Sequence, residues 1–334
     1  MDIMSRKVLP SISIIVPTYN SAKVLPQCLR SLRGQDYPID KIEIIIADGG
    51  SDDETLEVAK SFNVDKILSN SLKTGEAGKA IGLEAARNEI VVFIDSDNSL
   101  PCKDWLRRIV QPLDDERVVG SEPFEWTYRN YDPLVDRYAA LCGDNDPVGF
   151  YTGTRAHWSW SRLNWTDLAS LNIVNVTDHF SIVRLPKNRR LPSIGANGFA
   201  GRKMLLRKMS YEKFYFDVDV VYNLVQSGYD TFAKVKVGII HLHAASITDF
   251  IRKAYRRVRD FFTFRRYRLS LPPSRRDLLW FLFSTLTIIP LVQESVIGYR
   301  RKPDLAWFFH PIACFLVLLV YTVAYVKTIF QSGF

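Results

Sequence analysis

"GKAIGLEAARNEIVVFIDSDN", residues 78–98, runs from a helix-like segment into five apolar residues, 90–94, that end in two carboxylates, Asp95 and Asp97. A strand apolar at every position is buried on both faces, as in a parallel sheet covered by helices. Working outward, similar β-branched runs occur at 12–16, 42–47 and 64–68, and the spacing predicts helices over 22–32, 52–62 and 75–86. Ser51 or Asp52 is the expected N-cap of the second helix. This βα alternation predicts an α/β fold, Rossmann-like, with a mostly parallel sheet and helices on both faces. Ligands of such sheets bind beyond the carboxyl ends of the strands, where "PTYNS", "DGGSDD" and "DSDN" all fall.

In an extended chain Asp95 and Asp97 point to the same side, so their charges repel unless a cation compensates them. A hard divalent ion, Mn²⁺ or Mg²⁺, sharing oxygen ligands with a diphosphate meets that need. Two alternatives stand beside it. One is a solvated turn, and the other is a phosphatase in which Asp95 forms an aspartyl-phosphate and Asp97 is acid and base. A calcium EF-hand loop is excluded, because Leu100 and Leu106 stand where Gly and Glu are required. Asp48, followed by Gly49-Gly50-Ser51-Asp52, gathers a carboxylate and backbone N–H groups at a helix start, which suits ribose hydroxyls or a base N–H as well as a simple capping turn. The absence of G-x-G-x-x-G argues against a dinucleotide. Asp217 and Asp219 open a helical pattern of Val218, Val221, Leu224 and Val225 closed by Gly228, and His241 and His243 follow a strand expected at 235–240.

Five stretches, "SIIVPTYN" (13–20), "EIIIADGGSDDET" (43–55), residues 78–98, "IGANGFAGRK" (194–203) and "FDVDVVYNLVQSGYD" (216–230), resemble in order the inverting nucleotide-sugar glycosyltransferases of family 2, which have the GT-A fold. The resemblance implies a hexosyltransferase-type enzyme using a UDP- or GDP-sugar and Mn²⁺ or Mg²⁺. It implies that Pro17, Tyr19, Asn20 and Asp48 contact the nucleotide and that Lys79 lies near the diphosphate. Asp97 would hold the metal, Asp95 would reach the ribose or the metal, and His241 or His243 would support metal or diphosphate. Asp217 would be the general base, although Phe216 stands where the family often has Glu, and Ala47 replaces the first Asp of the common "VDDGS". No QxxRW signature is present, which argues against long-chain polymerisation.

At 334 residues and 47% hydrophobic content the chain can build a large core. Its four cysteines form no CxxC pair, so neither a zinc ribbon nor a disulfide framework is expected. The net charge of +8 is concentrated in residues 252–276, which hold ten Arg or Lys against Asp260 alone. Residues 247–268 interleave these cations with Ile247, Phe250, Ile251, Ala254, Val258, Phe261 and Phe262 at helical spacing, a pattern that favours anionic membrane lipids over nucleic acid. Two apolar segments follow, 278–297 and 305–326, each near the ~20 residues of a transmembrane helix. Three regions are therefore expected: a catalytic domain at 1–245, a basic amphipathic helix and linker at 246–276, and a membrane region at 277–334. The positive-inside rule places the basic segment and the catalytic domain on the cytoplasmic side of the cell membrane. Pro290, Gln293 and Glu294 interrupt the first apolar segment, and Arg300-Arg301-Lys302 would face outward after a full crossing, so a re-entrant or tilted helix is the alternative to two spans. A lipid-linked acceptor follows, either a glycan hydroxyl that needs a base or a polyprenyl phosphate that needs none, as in dolichyl-phosphate mannose synthase relatives.

Overall fold

Strands form at the β-branched runs: β1 (Ile12–Thr18), β2 (Ile42–Asp48), β3 (Lys66–Ser69) and β4 (Ile90–Phe93), separated by α1 (Leu25–Arg33), α2 (Thr55–Ser61) and α3 (Gly75–Ala85). The computed structural model describes residues 8–168, 172–209, 213–265, 268–269 and 271–331. Further along are β5 (Asn98–Ser99), α4 (Trp105–Val110), β6 (Gly120–Thr127), α5 (Leu134–Cys142), α6 (Pro147–Thr152), β7 (Asn172–Val176), β8 (Phe180–Arg184) and β9 (Ala200–Arg202). Then come α7 (Lys203–Met209), α8 (Asp217–Gln226), β10 (Thr231–His241), α9 (Ile247–Thr263), α10 (Arg275–Thr287), α11 (Ile289–Arg301) and α12 (His310–Gln331).

The sheet order is β3-β2-β1-β4-β9-β6-β10-β8-β7, with β5 paired to β10 off this path. One arm is parallel: Ile12 lies beside both Ile42 and Ile90, and Ile45 beside Lys66. Beyond β4 the pairing turns antiparallel, with Ile90 opposite Arg202, Gly120 opposite Gly201 and Thr231 opposite Arg184. Every residue of β2 is buried, as a strand covered on both faces requires.

Two compact units divide the chain. The first comprises Met1–Glu122, Ile173–Arg184 and Gly195–Val237, and the second Pro123–Asn172, Leu185–Ile194 and Gly238–Phe334. Ile14, Ile44, Ile46, Val92 and Phe93 centre the core of the first. The core of the second gathers Tyr138, Phe150, Phe250, Trp307, Phe309 and Cys314 from α5, α6, α9 and the C-terminal helices.

One expectation needs correction, and at 278–297 the structure takes a bent form like the re-entrant alternative to a straight span. The helix expected from Ser51 or Asp52 starts at Thr55, because the Ser51 hydroxyl donates to Asp48 and the Asp53 carboxylate takes the Thr55 N–H at 3.0 Å. The apolar segment 278–297 is two 13-residue helices, α10 and α11, bent by 89°. Ile288 at the bend has φ +62°, and Pro290 in the first turn of α11 has no N–H to continue the ladder. Each half is about 20 Å long, short of the ~30 Å hydrocarbon core. Among the described residues one helix is long and apolar enough to cross a membrane, Leu305–Lys327, with mean hydropathy 2.0. Within the basic segment, Arg266 lies outside the described residues.

Helix α3 packs on β1 through Gly82, where an added Cβ would sit 2.3 Å from Ile15 Cγ2. Gly82→Ala is expected to destabilise the protein by about 1–3 kcal/mol through overpacking, read as a lowered midpoint in denaturant unfolding.

Candidate functional site

The ends of β1 and β2 build one face of the site in the first unit. Asp48, at the end of β2, is buried and accepts from Thr18 Oγ1 (2.9 Å), Ser51 Oγ (2.6 Å), Gly50 N (2.9 Å) and Ser51 N (2.8 Å). Its carboxylate thus organises the whole Gly-Gly-Ser turn. Asn20 locks the neighbouring loop to this turn: its N–H donates to Ser51 Oγ at 2.9 Å, and its Oδ1 accepts the Asp52 N–H at 3.0 Å. Asn20 adopts φ +48°, a left-handed conformation that Asn tolerates better than most residues. Tyr19 is 50% exposed, with Lys73 Nζ 5.9 Å from its ring centre. An exposed aromatic face beside a cation and a rigid polar turn is suited to a planar base and a ribose. Pro17 supports the loop from below and touches the Gly78 position of α3.

The end of β4 supplies the second face. Asp95 and Asp97 lie in a turn closed by Asn98 and not in the extended chain: the Asn98 N–H donates to Asp95 O at 2.8 Å, and Asn98 Oδ1 accepts the Asp95 N–H at 3.0 Å. Ser96 faces the loop after β1, with its hydroxyl 3.0 Å from Ser21 Oγ. Burial, and then the charges of Asp97 and Asp95, push the Cys28 thiol well above its ordinary range. Cys28 is therefore an inert thiol beneath the pair. Among the described residues no three His, Cys, Asp or Glu side chains come together as a metal cage. Two partly buried carboxylates are nevertheless an oxygen donor set of the kind that Mn²⁺ or Mg²⁺ completes with phosphate oxygens and water, so the residues fit such an ion.

Lys79, on α3, joins this turn to α8. Its Nζ lies 3.0 and 2.9 Å from the two Asp217 oxygens and 3.6 Å from Asp95 Oδ1. Burial disfavours the Lys79 ammonium, but Asp217 and Asp95 outweigh it and raise the pKa. Asp217 is the first residue of α8, where the helix dipole favours a carboxylate. Burial nonetheless pushes its pKa up to about 6 against the pull of Lys79. The sequence placed Lys79 beside a diphosphate, and its nearest partners prove to be Asp217 and Asp95.

His241 and His243 belong to the second unit. Their rings are 5.3 Å apart, and His241 meets Trp126 edge-on at 4.9 Å, with Trp126 stacked on His157 at 4.7 Å. Burial, then His241 and the nearby Lys253, Arg257 and Arg256, hold His243 well below the usual imidazole range, so it is neutral near pH 7. Arg257 does not sit on the outer basic face of α9. It turns inward to Asp146 (3.0 Å), Asn145 Oδ1 (3.0 Å) and Tyr321 (3.1 Å). The Trp126–His157 stack escaped the sequence reading, and so did the fully buried Glu122–Lys234 pair, whose strands also carry the charges of Glu125 and Lys236.

Removing Lys79 would leave Asp217 and Asp95, whose side chains are 20% and 33% exposed, without the ammonium that offsets them. Lys79→Met is expected to cost about 3 kcal/mol of stability near pH 7, an effect that shrinks at pH 4–5 where Asp217 is protonated, as measured by denaturant unfolding at both pH values.

Comparison with known proteins fits this geometry. The glycosyl transferase family 2 pattern matches residues 13–140. Glycosyltransferase AglE of Haloferax volcanii is 34% identical over 137 residues, 39% of this chain and 44% of that protein. GalNAc(5)-diNAcBac-PP-undecaprenol beta-1,3-glucosyltransferase of Campylobacter jejuni is 35% identical over 98 residues, 28% of this chain and 31% of that protein. The chain spans less than half the length of the first curated relatives it matches. Mannosyltransferase PcManGT from Pyrobaculum calidifontis, solved with GDP-Man and Mn²⁺, shares the fold with a TM-score of 0.51 at 17% identity, covering 94% of this chain and 87% of its own. The match gives no support to a phosphatase role for Asp95. The motifs at the strand ends, the sheet order and the matched residues agree: residues 13–140 match the glycosyl transferase family 2 domain, and the mixed α/β sheet has a GT-A-like fold.

Proposed function

We propose that this protein is a membrane-associated, inverting glycosyltransferase that moves a sugar from a UDP- or GDP-sugar to a hydroxyl of a lipid-linked glycan, with Asp217 as the general base. The observation that carries this reading is the Asp217–Lys79–Asp95 bridge, which sets a carboxylate of raised pKa beside the carboxylates at the end of β4. The nucleotide lies over Tyr19 and Asn20 at the Asp48 turn, and the diphosphate extends toward Asp95 and Asp97. A bound Mn²⁺ or Mg²⁺ supplies charge neutralisation for the departing nucleoside diphosphate.

Asp217, ionised above pH about 6, accepts the proton of the acceptor hydroxyl as that oxygen attacks the anomeric carbon. Lys79 keeps the carboxylate oriented and offsets its charge until the proton arrives. A polyprenyl phosphate would need no base, so a carboxylate tuned near neutrality favours a hydroxyl acceptor. The undecaprenol-linked substrate in the name of the Campylobacter relative, and the GDP-Man and Mn²⁺ of the solved neighbour, support the acceptor and donor classes. For location, the helix at Leu305–Lys327 anchors the chain, and the outer cations of α9 meet anionic lipid, with the catalytic domain in the cytoplasm.

Two measurements test this reading. Asp97→Ala is expected to abolish the Mn²⁺-dependent thermal shift given by GDP or UDP in detergent, and a shift equal to that of the wild type would remove the cation role. Asp217→Asn should keep that shift and lose about 10²–10⁴-fold in sugar transfer to a lipid-linked glycan. The wild-type rate should rise with pH through about 6 as Asp217 loses its proton, and this rise should be missing from the residual rate of Asp217→Asn.

A further inference from the structure

We infer that Glu122 and Lys234, which no part of the proposed reaction uses, are positioning residues that set the place of Asp217 through the loop 195–198. The inference rests on the proposed role of Asp217. Glu122 on β6 and Lys234 on β10 are each 1% exposed and 2.6 Å apart, deep in the sheet of the first unit. Replacing such a pair by apolar groups of similar size is often neutral or stabilising, so stability is a poor account of it. Its geometric effect is specific. Lys234 engages one Glu122 oxygen, and the other accepts the Gly195 N–H at 3.1 Å.

Gly195 is where the loop meets the base. It adopts φ +123°, and a Cβ there would lie 3.0 Å from the Asp217 carbonyl oxygen and 3.2 Å from Asp217 Cβ. At the other end of the loop, Asn197 Oδ1 accepts from Asn98 Nδ2 at 3.2 Å, and Asn98 Oδ1 in turn holds the Asp95 N–H. Gly198 N–H is bonded to Phe93 O at 2.8 Å. One end of a four-residue loop is therefore pinned to the Asp95–Asp97 turn, and the other is pressed against the first residue of α8 by a hydrogen bond to a carboxylate that cannot move. The pair sets the distance between the carboxylates that face the diphosphate and the base that faces the acceptor.

The test is hydrogen exchange of the full-length protein in detergent, alongside thermal melting. Glu122→Leu/Lys234→Met removes both charges and the acceptor for Gly195. It should melt no lower than the wild type, yet exchange residues 195–198 about ten-fold faster, the weight of one net hydrogen bond. Glu122→Gln/Lys234→Met keeps an oxygen for the Gly195 N–H and should retain the wild-type exchange there. Unchanged exchange in the first variant, or lost protection in the second, overturns the inference; if the first variant fails to fold, the second alone decides. In transfer assays the first variant should lose about ten-fold or more in kcat with donor KM within about three-fold, and an equal loss in donor affinity would also overturn it. Adding GDP or UDP with Mn²⁺ to the wild type should slow exchange at 48–51 and 95–98. If it does not, the proposed donor site fails, whatever the loop shows.

Discussion

A buried ammonium between two carboxylates governs this site. Lys79 reaches Asp217 at 2.9 Å on one side and Asp95 at 3.6 Å on the other, so one ammonium offsets both charges. Its position follows from the fold. Helix α3 lies tightly on β1, with Gly82 leaving no space between them, so the second turn of the helix brings Lys79 to the carboxyl end of the sheet. Everything that faces the ligand is then arranged around that charge: the turn after β4, the first turn of α8, and the loop that touches both.

The parallel arm of the sheet and the antiparallel arm contribute different things. Short βα loops after β1, β2 and β4 present Asn20, Asp48 and Asp95: Asn20 is bonded across to the turn after β2, Asp48 holds that turn and Thr18, and Asp95 is held by Asn98 of its own turn. The antiparallel arm contributes no such loop. It contributes depth: β6 and β10 are inner strands, and between them the Glu122–Lys234 pair is fully enclosed.

The second unit shows why length alone does not describe an apolar segment. Twenty apolar residues at 278–297 satisfy a composition test, yet Pro290 and the left-handed Ile288 divide them into two helices at a right angle. Polar side chains tie both helices into their own unit: Asp277 to Arg190 at 2.7 Å and Glu294 to Arg162 at 3.2 Å. Arg257 makes the same point for the basic helix, since counting it among the outward cations ignores its inward bonds to Asp146 and Asn145.

The sequence by itself determined the βα order, the three strand-end motifs and the apolar character of the C-terminal region. Each of these depends on local spacing: two-residue and 3.6-residue periods, turn residues, and runs of apolar side chains. Only the tertiary structure decided that Asp95 sits in a turn and not on an extended strand, that Lys79 is partnered by Asp217 from 138 positions away, and that Glu122 meets Lys234 across β6 and β10. Those pairings depend on which strands become neighbours, and a charge carries no mark in the sequence of the distant partner that makes its burial tolerable.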